Sequence, residues 1–331
     1  MLNGKTILIT GGTGSFGKKF TEMTLRNYNP EKIIIYSRDE FKQFNMANDF
    51  RTMFPEKSKN LRFFIGDVRD KERLRRALTG VDYVVHAAAM KQVPTCEYNP
   101  FEAIKTNIHG AQSVVDAAID MNVKKVVALS TDKAVNPINL YGGTKLVSDK
   151  LFISANVYSG KGGTIFSVVR YGNVAGSRGS VIPFFRDIIQ SGANVLPITD
   201  FRMTRFWITL EQGVELVYKA IRESLGGETY ISKIPSFKIT DLAEAMKPNC
   251  ELKEIGIREG EKIHEIMVTR DDSRRAYEYE KHYIIYPEYR NLDSSVVHGG
   301  GRLVEPEFEY SSGSNVEWLS IPQLKEALLH V

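Results

Sequence analysis

Thr6-Ile-Leu-Ile-Thr10, running straight into Gly11-Gly-Thr-Gly-Ser-Phe-Gly17, is the stretch that decides the fold. The first five residues are a β-branched apolar run too short for a buried helix, and a helical stretch starts at Lys18, directly after the glycines. Glycines at 11, 14 and 17 have the spacing of a turn that cradles a dinucleotide. Without side chains in the way the backbone can approach a pyrophosphate, and the next helix offers N–H donors and the positive end of its dipole. Thr13, Ser15 and Phe16 lie in the same turn and join Gly11, Gly14 and Gly17 as candidate cofactor contacts. A purely structural turn is the competing reading; a strand before and a helix after favour the ligand.

Similar short runs recur at Lys32–Tyr36, Leu61–Ile65, Tyr83–His86, Lys125–Leu129 and Ile165–Val169, with amphipathic segments between most of them. Strands alternating with helices predict right-handed crossovers, and so an α/β fold with a doubly wound, Rossmann-type parallel sheet. Residues 1–172 are expected to form this nucleotide-binding domain. After Tyr171 the alternation weakens and Gly172, Gly176, Gly179, Pro183 and Pro197 crowd in, which marks a smaller second lobe. That lobe is expected over 173–202 and 233–331. A helix over Leu210–Glu223 and a strand over Thr229–Ser232 suggest that about 203–232 returns to the first domain.

Composition removes several function classes. The net charge of +4 is spread over 331 residues, which suits anionic small molecules better than nucleic acid. Cys96 and Cys250 are far apart and in no metal-ligand or redox spacing, so free thiols in a reducing compartment and no metal site are expected. No stretch approaches the roughly 20 apolar residues of a membrane span, and the N-terminus reads as a strand rather than a signal peptide. A cytoplasmic protein without a membrane segment is the expectation.

The second strand ends in Tyr36-Ser37-Arg38-Asp39-Glu40. Ser37, Arg38 and Lys42 would give a hydroxyl and two cations to a 2′-phosphate, from which NADP is inferred; a solvated charge cluster is the alternative. Asp67 and Val68 after the third strand could hold the adenine edge. Ala87 and Ala89 after the fourth keep side chains small where the cofactor would pass.

Ser130-Thr131-Asp132-Lys133 falls at the carboxyl end of the fifth strand, where parallel sheets place their chemistry. Tyr141 and Lys145, four apart, share one face of a helical turn. An ammonium beside a phenol stabilises phenolate, so Tyr141 could remove a hydroxyl proton as a hydride leaves. Chance on a solvated face is the bland alternative, and position after this strand argues against it.

Together these residues resemble the extended short-chain dehydrogenase/reductase family and, within it, the inverting UDP-N-acetylglucosamine 4,6-dehydratases that begin the route to pseudaminic acid. The likeness covers nearly the whole chain and rests on Tyr36–Glu40, Ala89–Pro94, Ser130–Ala134, Val169–Asn173, Thr199–Trp207 and Gly256–Glu265. It implies that Tyr141, supported by Lys145 and Thr131, takes the C4 hydroxyl proton. Lys133, its pKa lowered by burial and Lys145, would then take the C5 proton as a neutral amine. Asp132, held protonated, would protonate the departing C6 hydroxyl. The resemblance also implies Lys91 and Asn173 near the sugar and diphosphate, with Val181, Thr199, Arg205, Arg258 and Glu261 around the rest of UDP-N-acetylglucosamine. A homo-oligomer, with a hexamer as its candidate size, comes from the same source.

Arg178, Arg202 and Lys262 rank lower as cations, and His86, His109 and His264 read as structural. Gly142-Gly143 is a departure, since each glycine costs a helix about 0.5–1 kcal/mol against alanine. Close backbone approach accounts for at most one of them. Two other readings stay open: a UDP-N-acetylhexosamine 4-epimerase, against which Asp132-Lys133 argues, and a non-catalytic NADP-binding sensor, against which Tyr141 and Lys145 argue.

Overall fold

The computed structural model describes residues 1–176, 180–290 and 297–330. The N-terminal half alternates β1 (Thr6–Thr10), α1 (Ser15–Asn27), β2 (Lys32–Ser37), α2 (Glu40–Met53), β3 (Leu61–Ile65), α3 (Lys71–Ala77) and β4 (Tyr83–His86). Short helices α4 (Val93–Tyr98) and α5 (Pro100–Ile104) then lead through a π-turn at Lys105–His109 into α6 (Gly110–Asp120), β5 (Lys125–Thr131), α7 (Leu140–Tyr158) and β6 (Ile165–Tyr171). The rest contains α8 (Val181–Gln190), β7 (Val195–Ile198), β8 (Thr204–Phe206), α9 (Leu210–Glu223), β9 (Thr229–Ser232), β10 (Ser236–Lys238), α10 (Ile239–Met246) and β11 (Glu251–Glu254). It ends with β12 (Ile266–Val268), β13 (Ala276–Glu278), β14 (His282–Ile285), β15 (Arg302–Leu303), β16 (Tyr310–Ser311) and α11 (Ile321–Leu328).

Among the described residues, ten strands form one sheet in the order β15-β13-β14-β9-β6-β5-β4-β1-β2-β3. From β3 to β9 every pairing is parallel, and β3-β2-β1-β4-β5-β6 is the doubly wound Rossmann order, with its reversal of direction between β1 and β4. Strands buried on both faces explain why β1 is apolar and buried throughout rather than alternating. One face is covered by Phe20 and Leu25 of α1 with Val214, Val217 and Ile221 of α9, the other by Leu74 of α3, Val114 of α6 and Phe152 of α7. The α9 start is written in a Thr209–Gln212 capping box.

A separate core forms from Ile182, Phe185, Leu196, Trp207, Phe237, Leu242 and Leu324, which joins α8, α10 and α11 over β7, β8 and β10. Residues 276–303, expected in the second lobe, differ from that expectation: β13, β14 and β15 extend the large sheet antiparallel beyond β9. These strands are two to four residues long, too short to show a period, and tertiary pairing places them. Among the described residues no helix is long and apolar enough to cross a membrane.

Candidate active site

The carboxyl ends of β1–β6 open into a cleft of about 1090 Å3. One wall is the glycine turn. Gly11 has φ +64°, which side chains rarely adopt, and a Cβ at Gly17 would collide with the Gly12 backbone. Helix α1 therefore starts hard against the turn, with no side-chain cap on its first amides. Thr13, Gly14, Ser15 and Phe16 line this wall, and Ser37, Arg38 and Lys42 line its outer end. Arg38 Nη1 lies 3.6 Å from Asp67 Oδ2, and Lys42 Nζ lies 2.9 Å from Asp39 Oδ2. Asp39 also caps α2, accepting from the Lys42 amide at 2.9 Å. Asp67, Val68, Ala87 and Ala89 continue the lining inward.

Helix α7 is fixed from three directions. Asn139 caps it by accepting from the Gly142 amide at 2.8 Å. Gly142 packs so close to the Lys133 carbonyl that a Cβ would collide with it, whereas a Cβ at Gly143 would meet nothing within 4 Å. Backbone approach thus accounts for the first glycine and leaves the second without explanation. From the π-turn, buried Asn107 donates to Thr144 Oγ1 at 2.9 Å and to the Met90 carbonyl at 2.8 Å, while accepting from the Met90 amide at 2.8 Å. Tyr141 and Lys145 consequently stand, both buried, where β5 ends.

At that end the chain makes a single 3₁₀ turn over Asp132–Ala134. The Thr131 hydroxyl donates to Asp132 Oδ1 at 2.9 Å and accepts from the Lys133 amide at 3.3 Å. Lys133 Nζ lies 3.1 Å from Asp132 Oδ1, 3.1 Å from Asn173 Oδ1 and 3.3 Å from Glu265 Oε1. Glu265 is 2% exposed, and Arg205 Nε lies 3.6 Å from the same carboxylate oxygen. Of the catalytic candidates named from sequence, Asp132 alone does not line the cleft; it is 1% exposed, directly behind Lys133.

Electrostatics follow from these contacts. Burial raises the Asp132 carboxyl, with Glu265 adding to the effect and Lys133 and Thr131 opposing it, the direction expected of a proton donor. Lys133 departs from expectation. Burial acts to lower it, but the Asp132 and Glu265 carboxylates outweigh burial and raise it. Burial pushes Tyr141 up to about 12; Lys133 and a hydrogen bond with Thr131, rather than the expected Lys145, provide the main opposing pull. Lys145 itself is lowered by burial, with Asp149 opposing.

Lys91, Asn173, Val181, Thr199, Arg205, Arg258 and Glu261 also line the cleft. Arg258 lies 3.9 Å from Glu261, its guanidinium 5.7 Å from the Phe184 ring centre. Arg205 is more enclosed than a diphosphate contact suggests: it is buried and donates to the Thr204 and Ile263 carbonyls at 2.7 and 3.0 Å. Arg202 pairs with Asp200 at 2.7 Å, Lys262 donates to the Val135 carbonyl, and Arg178 lies outside the described residues.

Sequence reasoning missed two acids. Glu265, 132 residues beyond Lys133, closes the segment 256–265, and its presence there was the one available signal. Asp149 stands one helical turn after Lys145 and accepts from the Ser130 hydroxyl.

The chain is 56% identical to the inverting UDP-N-acetylglucosamine 4,6-dehydratase of Campylobacter jejuni subsp. jejuni serotype O:23/36, an alignment covering 100% of this chain and 99% of that protein. It is 41% identical to the UDP-glucose 4-epimerase of Rickettsia conorii, over 98% of this chain and 95% of the relative. The X-ray structure of Pen from Bacillus thuringiensis superposes with a TM-score of 0.90 at 39% identity, over 100% and 98% of the two chains. The polysaccharide biosynthesis protein family matches residues 7–287, and with these relatives at full length the chain belongs to that family.

Proposed function

We propose that this chain is an NADP-dependent inverting UDP-N-acetylglucosamine 4,6-dehydratase. The observation that carries the reading is the Lys133 amine in the cleft that also holds Tyr141, with the buried Asp132 carboxyl in contact directly behind it. An epimerase needs only to oxidise and reduce C4, and has no use for a second acid and base there. Relatives named as 4-epimerases make that activity the second reading.

The cofactor side of the cleft fits a dinucleotide. The Gly11 and Gly17 positions leave no room for side chains, and the uncapped first turn of α1 offers amides to a pyrophosphate. Gly14, Ser15 and Phe16 would hold that group, with Asp67, Val68, Ala87 and Ala89 along its length. Asp39, the carboxylate shortly after β2, is engaged by the α2 amide and by Lys42, while Ser37 and Arg38, the latter 3.6 Å from Asp67, line the same end of the cleft and would receive a 2′-phosphate; this supports NADP over NAD. Bound there, the nicotinamide supplies the hydride acceptor for C4 and the hydride donor for C6.

Tyr141 takes the C4 hydroxyl proton, and the resulting ketone acidifies C5. Lys133 as the free amine removes the C5 proton while Asp132 protonates the leaving C6 hydroxyl, so water departs and a C5=C6 double bond forms. Lys133 then carries one proton too many and Asp132 one too few, and their 3.1 Å contact lets that pair reset directly. A proton from solvent then adds to C5 on the face opposite Lys133, which inverts the centre, and Tyr141 returns the C4 hydroxyl proton to solvent. Lys91, Asn173, Val181, Thr199, Arg205, Arg258 and Glu261 are proposed to hold the UDP-sugar. A division into a cofactor domain and a UDP-sugar lobe, a homo-oligomer with a hexamer as candidate size, a cytoplasmic location and a place at the start of pseudaminic acid synthesis belong to the same proposal.

NMR of the product from UDP-N-acetylglucosamine tests it. A 6-deoxy-4-keto hexosamine of inverted C5 is expected; UDP-N-acetylgalactosamine as sole product would establish the epimerase instead.

A further inference from the structure

Lys133 Nζ faces three oxygens at hydrogen-bond distance, those of Asp132, Asn173 and Glu265. An ammonium has three donors and no acceptor, so this surrounding satisfies the charged form completely. A free amine has two N–H bonds and a lone pair, and here the lone pair would meet an oxygen that offers it no proton. The arrangement at rest therefore holds an ammonium, which cannot remove a C5 proton. The proton must go to a group within the site or to water.

Two carboxyl oxygens in the cluster are buried without a hydrogen-bond partner, Asp132 Oδ2 and Glu265 Oε2. Asp132 already has a task, carrying the proton for the leaving hydroxyl. Glu265 has none. It belongs to the segment just before β12, is 2% exposed, and sits 3.3 Å from Lys133 Nζ.

We propose that Glu265 takes the Lys133 proton when substrate enters, turning the ammonium–carboxylate pair into an amine and a neutral carboxylic acid. One N–H bond of Lys133 breaks and one O–H bond forms on Glu265, so the pair carries no net charge before or after and no proton crosses to solvent. Glu265 lines the cleft beside Lys133 and acts here through Lys133, so it is a positioning and proton-holding residue. The Lys133 side chain is 22% exposed, and a sugar covering it removes the remaining water, which favours the neutral pair over the ionic one. At rest the ionic form is held by Arg205 and Lys262, which face Glu265, and by Asp132, which faces Lys133; the cations Arg205 and Lys91 beside Lys133 oppose it, and Tyr141 also faces it.

This inference rests on the dehydratase reading, and the test separates the two. C5 exchange with deuterated water is followed across pH for the parent protein and for Glu265→Gln, with cofactor reduction by added substrate read in parallel. An internal transfer predicts a flat parent profile between about pH 6.5 and 9, and a Glu265→Gln variant that still reduces its cofactor but exchanges C5 about 10²–10³-fold more slowly near pH 7. That deficit shrinks with rising pH, because the variant must release the Lys133 proton to water. A Glu265→Gln rate equal to the parent's, or a deficit equal at every pH, overturns the role of Glu265. If the variant does not fold, the parent profile decides: a rate climbing about tenfold per pH unit means that the proton leaves to solvent, against the proposal. A parent protein without any C5 exchange or 6-deoxy product defeats the dehydratase reading itself.

Discussion

Tyr141 and Lys133 share one cleft, and the proposed reaction gives them different protons to move, so substitutions at the two should separate oxidation from elimination. Tyr141→Phe removes the hydroxyl proposed to accept the C4 proton, and cofactor reduction by substrate should fall by about 10²–10⁴-fold. Lys133→Ala leaves that step available: reduced nicotinamide should accumulate while 6-deoxy product falls by a similar factor. Absorbance of the reduced cofactor and NMR of the sugar read the two separately, and a Lys133→Ala protein that still eliminates water at the parent rate would contradict the assignment. At this scale the sequence showed which residues gather in the cleft better than it showed their charges. Four-residue spacing put Tyr141 and Lys145 on one helical face, but Lys133 is raised against burial by its neighbour Asp132 and further by Glu265, brought from 132 residues away by the fold. No local pattern carries the second of these.

Among the elements, α7 allows the sharpest comparison because its two adjacent glycines have opposite surroundings. Gly142→Ala drives a methyl into the Lys133 carbonyl, and should cost about 1–3 kcal/mol and much of the activity as α7 shifts from the 3₁₀ turn. Gly143→Ala meets nothing within 4 Å and should gain about 0.5–1 kcal/mol through helix propensity. Urea unfolding of both variants checks the pair; equal signs would mean that α7 does not pack as described. Elements were legible where the chain is buried on both sides of the parallel sheet. The apolar runs of β1, β2, β4, β5 and β6 stand out because neither face needs polar residues, while the edge strand β3 is only partly buried. Strands β13 to β15 did not stand out, being two to four residues long and placed by antiparallel pairing beyond β9 rather than by a pattern of their own. The π-turn that aims Asn107 at Thr144 and Met90 has no sequence signature either, although it ties α7 to the segment after β4.

Over the whole molecule, two buried histidines tie stability to pH. Burial, with Lys145 adding to it, lowers His86 to about 3, and burial, with Lys219 adding to it, lowers His282 to about 4. Both titrate near 6.5 when the chain is unfolded. Their contribution is therefore complete above about pH 6.5 and is lost as pH falls toward the folded values, because the unfolded chain binds protons that the native protein refuses. Between about pH 6 and 4.5 each should add up to about 1.4 kcal/mol per pH unit to the slope of unfolding free energy. His86→Gln, which keeps a partner for Thr10, should lower that slope by one proton; lines that stay parallel would contradict the burial of His86.

The proposed reaction joins an oxidation at C4 to proton removal at C5 in a single cleft, through the Asp132–Lys133 pair. Incubating the protein with UDP-N-acetylglucosamine in deuterated water and locating deuterium in the product by NMR tests this join directly. Deuterium at C5 of a 6-deoxy-4-keto sugar is the predicted result; a product without deuterium at C5, or with its C6 hydroxyl intact, would contradict it.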